Sequence, residues 1–300
     1  MLNEMRKDNS QPSHLASSSP LTMPMEVDLV LNRLAGHSLE EDTPYEVDPD
    51  SFTRAAEFEK TSIIAPVLRE MFGLVVNDRK FKIGEDRVLD IGCGPMLLAL
   101  PFLTQGVEVD GIDTSPNMLL TAAKTLQGSK INVRGTPVKV NVHTRTIESS
   151  NDVKPEYAFA MMNFTHNTAK DFESLSSLFK LAAASMKVGG RLAIVATHPE
   201  YLHVPHAAYE CEVGANDNLK DGDQYETKIF GYNNDVLFSV RDHFWSTSSV
   251  IKAAEAAGLS FVSADNIDDK DSMLRPASNL PAYQAMLFKK SLSSSSPVVS

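Results

Sequence analysis

The stretch Val88-Leu89-Asp90-Ile91-Gly92-Cys93-Gly94-Pro95 restricts the folds open to this chain more than any other segment. Its apolar run reads as a buried strand. The run meets a carboxylate, Asp90, and then two glycines one residue apart, and a helical pattern opens at Pro95. A second apolar strand, Val107 to Ile112, ends in Asp113, nineteen positions after Gly94. Strand, glycine turn, helix, strand and acid follow one another in this order in a nucleotide-binding βαβ unit. Glycine permits the sharp turn and lets a ligand approach the backbone. An ionised carboxylate such as Asp113 offers two acceptor oxygens to the two hydroxyls of a ribose. A dinucleotide site would carry a further glycine at position 97; Leu97 stands there, so close packing on a pyrophosphate is not provided for.

Beyond this unit, strand patterns fall near 87–91, 107–112, 137–143, 157–162, 190–196, 259–265 and 282–288, and helical ones near 96–105, 116–127, 170–186 and 247–257. Such alternation predicts an α/β fold: a Rossmann-like, mostly parallel seven-stranded sheet with helices on both faces. Residues 1–24 and 291–300, rich in Ser, Pro and other polar residues, are expected to be disordered tails. Helical spacing over Met25–Leu34 and Phe52–Phe72, joined by the polar segment 40–50, marks 25–80 as an N-terminal helical region. The main domain is expected over 81–290. Within it, 197–244 breaks the alternation with four histidines, four tyrosines and a candidate hairpin, Tyr225–Phe230 with Val236–Arg241. An insertion after a strand's C-terminal end lies where open α/β sheets bind ligands, so it reads as a substrate cap.

The chain has 28 Lys and Arg against 39 Asp and Glu, a net charge of −11, with no basic run. That balance argues against a nucleic-acid partner, whose phosphates demand cations. Two cysteines, Cys93 and Cys211, make no disulfide framework and suit a reducing compartment. No apolar stretch is long enough for a membrane span, and the N-terminus lacks an apolar signal core. A cytoplasmic monomer or homodimer is the expectation, with neither membrane nor nucleic acid as partner.

The Asp-x-Gly-x-Gly stretch, Asp90 to Gly94, resembles motif I of the class I S-adenosylmethionine (SAM) dependent methyltransferases. That motif often has another glycine two residues on, where this chain has Met96. Gly111-Ile112-Asp113-Thr114-Ser115-Pro116 is similar to the family's second strand end and next helix start, Tyr157–Met162 to its fourth strand, and Val188-Gly189-Gly190-Arg191-Leu192 to its turn into the fifth. Ala253–Val262 is similar to the last helix and sixth strand, and Tyr283–Phe288 to an antiparallel seventh. The resemblance implies SAM as cofactor and S-adenosylhomocysteine (SAH) as product, with 25–80 folding over the pocket as a lid. It also implies a cofactor site of Asp90, Gly92 and Gly94 at the amino-acid end, Asp113 and Thr114 at the ribose, and Met162 and Asn163 near the transferable methyl. Relatives hold the adenine with an Asp after the third strand; here Glu148 is the nearest acid, and Ile147 or Thr146 can edge the base through the backbone.

His198 follows the fifth strand and is the candidate general base, since imidazole accepts protons near neutral pH. His166, Tyr201, His243 and Trp245 are candidate substrate contacts, each also readable as a packed side chain. His203-x-x-His206 has too few ligands for a metal site, so no metal is expected. These readings converge on methyl transfer to an O or N atom of a small molecule. A non-methylating enzyme on the same scaffold, or a SAM-binding partner subunit, stays open.

Overall fold

The computed structural model describes position 53 and residues 64–77, 81–128, 132–133, 136–137, 140–144, 156–207, 209–213, 218–230, 235–268 and 279–291. Helix α1 (Ala65–Asn77) leads into β1 (Arg87–Ile91). A 3-10 turn, Leu97–Ala99, runs into the four-residue α2 (Leu100–Leu103), and β2 (Glu108–Asp113) and α3 (Pro116–Gly128) follow. The helix expected over 96–105 thus starts only at Leu97, because Met96 holds a left-handed backbone (φ 57°) that no α-helix continues through, and its first turn is 3-10. A two-residue ribbon, β3 (Asn132–Val133) with β4 (Thr136–Pro137), precedes β5 (Val140–Thr144). Then come β6 (Tyr157–Asn163), α4 (Phe172–Ser185), β7 (Met186–Thr197), the cap strands β8 (Tyr209–Glu212), β9 (Gln224–Phe230) and β10 (Val236–His243), α5 (Thr247–Ala256), β11 (Leu259–Ile267) and β12 (Tyr283–Lys290).

The main sheet has seven strands in the order β11-β12-β7-β6-β1-β2-β5. From β5 to β7 every pairing is parallel; β12 alone runs antiparallel, to both β7 and β11. This is the expected sheet with its antiparallel last strand. The chain moves outward from β1 through β2 to β5, then returns to lay β6 on the other side of β1. The carboxyl ends of β1 and β6 therefore border the crevice where such sheets take ligands.

Alternation along the strands divides the core. One face of the sheet packs Val88, Val109, Phe159 and Met161 against α1, α2 and α3. The other packs Leu89, Ala160, Met162 and Ile194 against α4 and α5. On the first face Phe72 of α1 meets Phe81, Phe102 and Phe159 edge-on at 4.8, 5.2 and 5.4 Å. This part of the expected lid is core, packed by its apolar side; Met25–Leu34 and 54–63 lie outside the described residues. Asp171 caps α4 through Ser174 N–H at 2.7 Å, and Ser246 caps α5 through Ser249 N–H.

Strands β8, β9 and β10 form a separate antiparallel sheet, the expected hairpin plus a strand the sequence did not announce. It is tied down by Tyr209, whose hydroxyl donates to the Ala282 carbonyl, and by the Ser246 amide, which donates to Asp221 at 2.6 Å. Gly189 and Gly190 lie inside β7 rather than ahead of it, where three extra residues bulge between the Tyr157–Met186 and Phe159–Arg191 pairings.

A methyl group on Gly190 would stand 2.8 Å from the Lys187 carbonyl oxygen and 3.1 Å from that of Tyr157, while one on Gly73, in α1, meets open space. Opposite outcomes are expected in urea unfolding. Gly190→Ala should destabilise by about 1–3 kcal/mol, as overpacking against rigid backbone does. Gly73→Ala should stabilise by up to about 1 kcal/mol through helix propensity.

Candidate active site

Gly92 and Cys93 N–H both donate to the Ile112 carbonyl, at 2.8 and 3.0 Å, which docks the glycine turn on the end of β2. The Asp113 carboxylate completes the clamp: Oδ2 accepts Gly94 N–H and Oδ1 accepts Ser115 N–H, each at 2.8 Å. Gly92 stands at φ 68°, and a Cβ there would lie 2.2 Å from Thr165 Oγ1. Its glycine is therefore demanded by the protein's own packing as well as by the turn. Thr165 Oγ1 reaches the Ile91 carbonyl at 2.9 Å and that of Asn163 at 3.2 Å, joining the ends of β1 and β6. Sequence reasoning passed over Thr165, since a lone threonine after a strand carries no pattern. It also passed over Gly111, where a Cβ would come within 2.8 Å of Cys93 Sγ.

Met96 occupies the position of the motif's further glycine and keeps a left-handed backbone, fully buried. Phe164, directly after β6, is also left-handed at φ 59°. Non-glycine residues in this region carry strain of about 1–3 kcal/mol, tolerated where surroundings impose it, and such residues cluster at functional sites. Beside Phe164 the Asn163 side chain is buried at 9% exposure, and neither its Oδ1 nor its Nδ2 has a hydrogen-bond partner. A buried amide without partners is costly, and a bound ligand can supply them. Asp90 is buried as well; desolvation, reinforced by the nearby Asp113 charge, pushes its carboxyl up to about 8, so it is largely protonated at pH 7.

The remaining candidates divide. Thr114 is exposed just past Asp113. Ile147, Thr146 and Glu148 lie outside the described residues. The Met162 side chain sits fully buried on the α4 and α5 face of the sheet, which leaves only its backbone for the crevice. His198 has both ring nitrogens engaged: Nδ1 accepts Glu200 N–H at 3.3 Å, which makes Nε2 the N–H that donates to Asn266 Oδ1 at 3.0 Å. It caps the 3-10 turn Pro199–Tyr201, its ring lies 4.6 Å from that of Tyr201, and burial lowers its pKa. The residue expected as general base thus stands just past the end of β7 with both ring nitrogens engaged within the chain.

His166, His243 and Trp245 come together. They line a narrow cleft with room for about one water, between the 166–167 turn, the end of β7, the cap and α5; Tyr201 and Asn163 are not among its walls. The Trp245 indole N–H donates to the Ala169 carbonyl at 2.9 Å, so this ring is both core and wall. His166 Nδ1 and His243 Nδ1 are shut from water without hydrogen-bond partners, and burial pushes the His166 imidazole down to about 4. Among the described residues no group of His, Cys, Asp or Glu is placed to hold a metal. Nor is any described helix long and apolar enough to cross a membrane.

Residues 88–190 match the family model of a methyltransferase domain. The fold is similar to that of a SAM-dependent methyltransferase from Clostridium acetobutylicum (TM-score 0.54, 14% identity, 80% of this chain and 99% of that one). It is likewise similar to the CcbJ methyltransferase of Streptomyces caelestis (0.53, 16%, 74% and 89%). A third similar structure is the magnesium protoporphyrin IX methyltransferase of Synechocystis with bound SAH (0.51, 14%, 82% and 96%). No curated protein sequence matches the chain. By the match to the family model, residues 88–190 form a methyltransferase domain, and the sheet order is that of a Rossmann-like fold. The class I methyltransferases that the glycine turn resembles use SAM as methyl donor.

The raised Asp90 pKa carries a test. The folded protein holds a proton that the unfolded chain, with an ordinary carboxyl near 3.8, releases. Stability from this site therefore falls as pH rises from about 4 to about 8. Asp90→Asn should melt close to wild type at pH 4 and increasingly above it towards pH 8.5. A melting difference that does not grow with pH would remove the buried proton from Asp90.

Proposed function

We propose that this chain transfers a methyl group from SAM to an oxygen or nitrogen atom of a small organic molecule. The carrying observation is the juxtaposition at the carboxyl ends of β1, β2 and β6: a glycine turn clamped by Asp113 beside the unpartnered Asn163 side chain and the left-handed Phe164. These groups fit the nucleoside and amino-acid parts of SAM. Asp113, with Thr114 next to it, would take the ribose hydroxyls through its carboxylate oxygens. Gly92, Gly94 and Asp90 would face the amino-acid end. Asn163 would gain there the partners it lacks, and Ile147 would edge the adenine.

When bound, the sulfonium supplies an activated methyl carbon. The chain's own task is then to align the acceptor atom in line with that carbon and exclude water. The cap over the neighbouring cleft suits both tasks. One similar structure is by its name a magnesium protoporphyrin IX methyltransferase, so a fold of this kind accommodates a small organic acceptor. The acidic surface favours neutral or cationic small molecules in the cytoplasm over polyanions such as nucleic acid.

Calorimetry tests the reading. SAM and SAH should bind, and NAD should not. Asp113→Asn, which keeps the volume but loses the charge, should weaken SAH binding by about 10–100-fold, the scale of charge-assisted hydrogen bonds. Tight NAD binding with no SAH binding would overturn the assignment.

A further inference from the structure

The cleft beneath the cap has a wall chemistry that narrows the acceptor. Among the described residues that line it there is no Asp, Glu, Lys or Arg. Its polar wall includes Asn167, Thr197 and Tyr225, whose side chains hydrogen-bond one another at 3.4 Å, and the two histidines His166 and His243. Trp245 and other apolar side chains make up much of the rest. An ammonium or a carboxylate entering here would lose water and find no countercharge, which is the costly case of charge burial. A hydroxyl meets no such cost. It has one proton to give and lone pairs to receive one, and a neutral imidazole presents one accepting and one donating nitrogen.

We propose that this cleft is the acceptor site and that it selects a neutral hydroxyl on an aromatic or otherwise apolar body, a phenol in the simplest case, with His166 and His243 engaging that hydroxyl. The assignment rests on the methyl-transfer reading above. The hydroxyl gives its hydrogen bond to His166 and accepts one from His243, filling the two ring nitrogens that the protein leaves without partners. In the transfer, a lone pair of the acceptor oxygen forms the new O–CH3 bond as the methyl–sulfur bond breaks and its electron pair stays on sulfur. The hydroxyl proton passes to the His166 imidazole and later to solvent. The oxygen becomes strongly acidic only as the methyl arrives, so a weakly basic, buried imidazole suffices as acceptor of that proton. His166 thereby takes the role the sequence suggested for His198, whose nitrogens are committed to Glu200 and Asn266. The cleft as it stands has room for about one water, so binding of a ring widens it and uncovers the two nitrogens.

Trp245 is the only tryptophan of the chain and lines this cleft, so its fluorescence reports occupancy independently of turnover. With protein saturated by SAH, three probes of one shape are titrated: 2-naphthol, 2-naphthoate and 2-(aminomethyl)naphthalene. Naphthol should bind at least 10-fold more tightly than either charged probe. His166→Gln should weaken naphthol at least 10-fold, with SAH affinity held within about 2-fold, and should lower methyl transfer from SAM to naphthol by about 100-fold or more, the worth of a positioned proton acceptor. The half-buried His243→Gln carries the binding test should the first variant not fold. Gln284→Glu, which puts a carboxylate in the wall, should turn the preference towards the aminomethyl probe. Equal or tighter binding of a charged probe to wild type, or unchanged naphthol binding in folded His166→Gln and His243→Gln, would overturn the neutral-hydroxyl site. Failure of SAH itself to bind would instead overturn the methyl-transfer reading.

Discussion

The Asp113 carboxylate holds the site together. Its two oxygens accept the amides of Gly94 and Ser115, so one side chain at the end of β2 fixes both the glycine turn after β1 and the start of α3. The Ile112 carbonyl adds two more amides from the same turn. Acceptors bearing a full charge make short, strong hydrogen bonds to N–H groups. The glycine turn is thus pinned at three amides, and the start of α3 at a fourth. The acid proposed for the ribose is thus also the part that keeps the turn in shape.

The two ends of the sheet treat polar groups in opposite ways. At the amino ends of β1, β2 and β6, Arg87 pairs with the buried Asp110, and the Tyr157 hydroxyl donates to the same carboxylate at 2.6 Å. Arg87 also lies 5.6 Å from the Tyr157 ring centre, and Lys187 pairs with Asp86. At the carboxyl ends Asn163 has no hydrogen bond to its side chain, Asp90 holds a proton, and Met96 and Phe164 are left-handed. Unpaired buried groups and strained backbone cost stability, and at the carboxyl ends a ligand can repay them.

The histidines show how position and availability differ. His198 stands at a strand end that the fold fixes, yet capping and the contact with Asn266 consume both nitrogens. His166, in a short 3-10 turn after β6, lies within the walls of the cleft with Nδ1 unmatched. A strand-end argument names a neighbourhood. Which ring in that neighbourhood has a nitrogen to spare follows only from what else is packed around it.

Much of this architecture was legible from residues alone, for a physical reason. Strand alternation, the glycines at 92 and 94 and the spaced acid at 113 are local patterns, set by the pleat, by turn geometry and by the length of one βαβ unit. They predicted the seven strands and the antiparallel β12 to within a few residues. Tertiary structure alone decided the rest. Met96 holds a left-handed conformation that no propensity favours, in a fully buried position after the turn. Met162 faces the helices on one side of the sheet while Asn163 is left orphaned, a matter of alternation combined with what each face meets. Thr165, Gly111 and Gly190 matter through neighbours distant in sequence. The cleft at the cap is assembled from residues 166 to 286, and its lack of charge is a property of their meeting, which no single segment of the chain encodes.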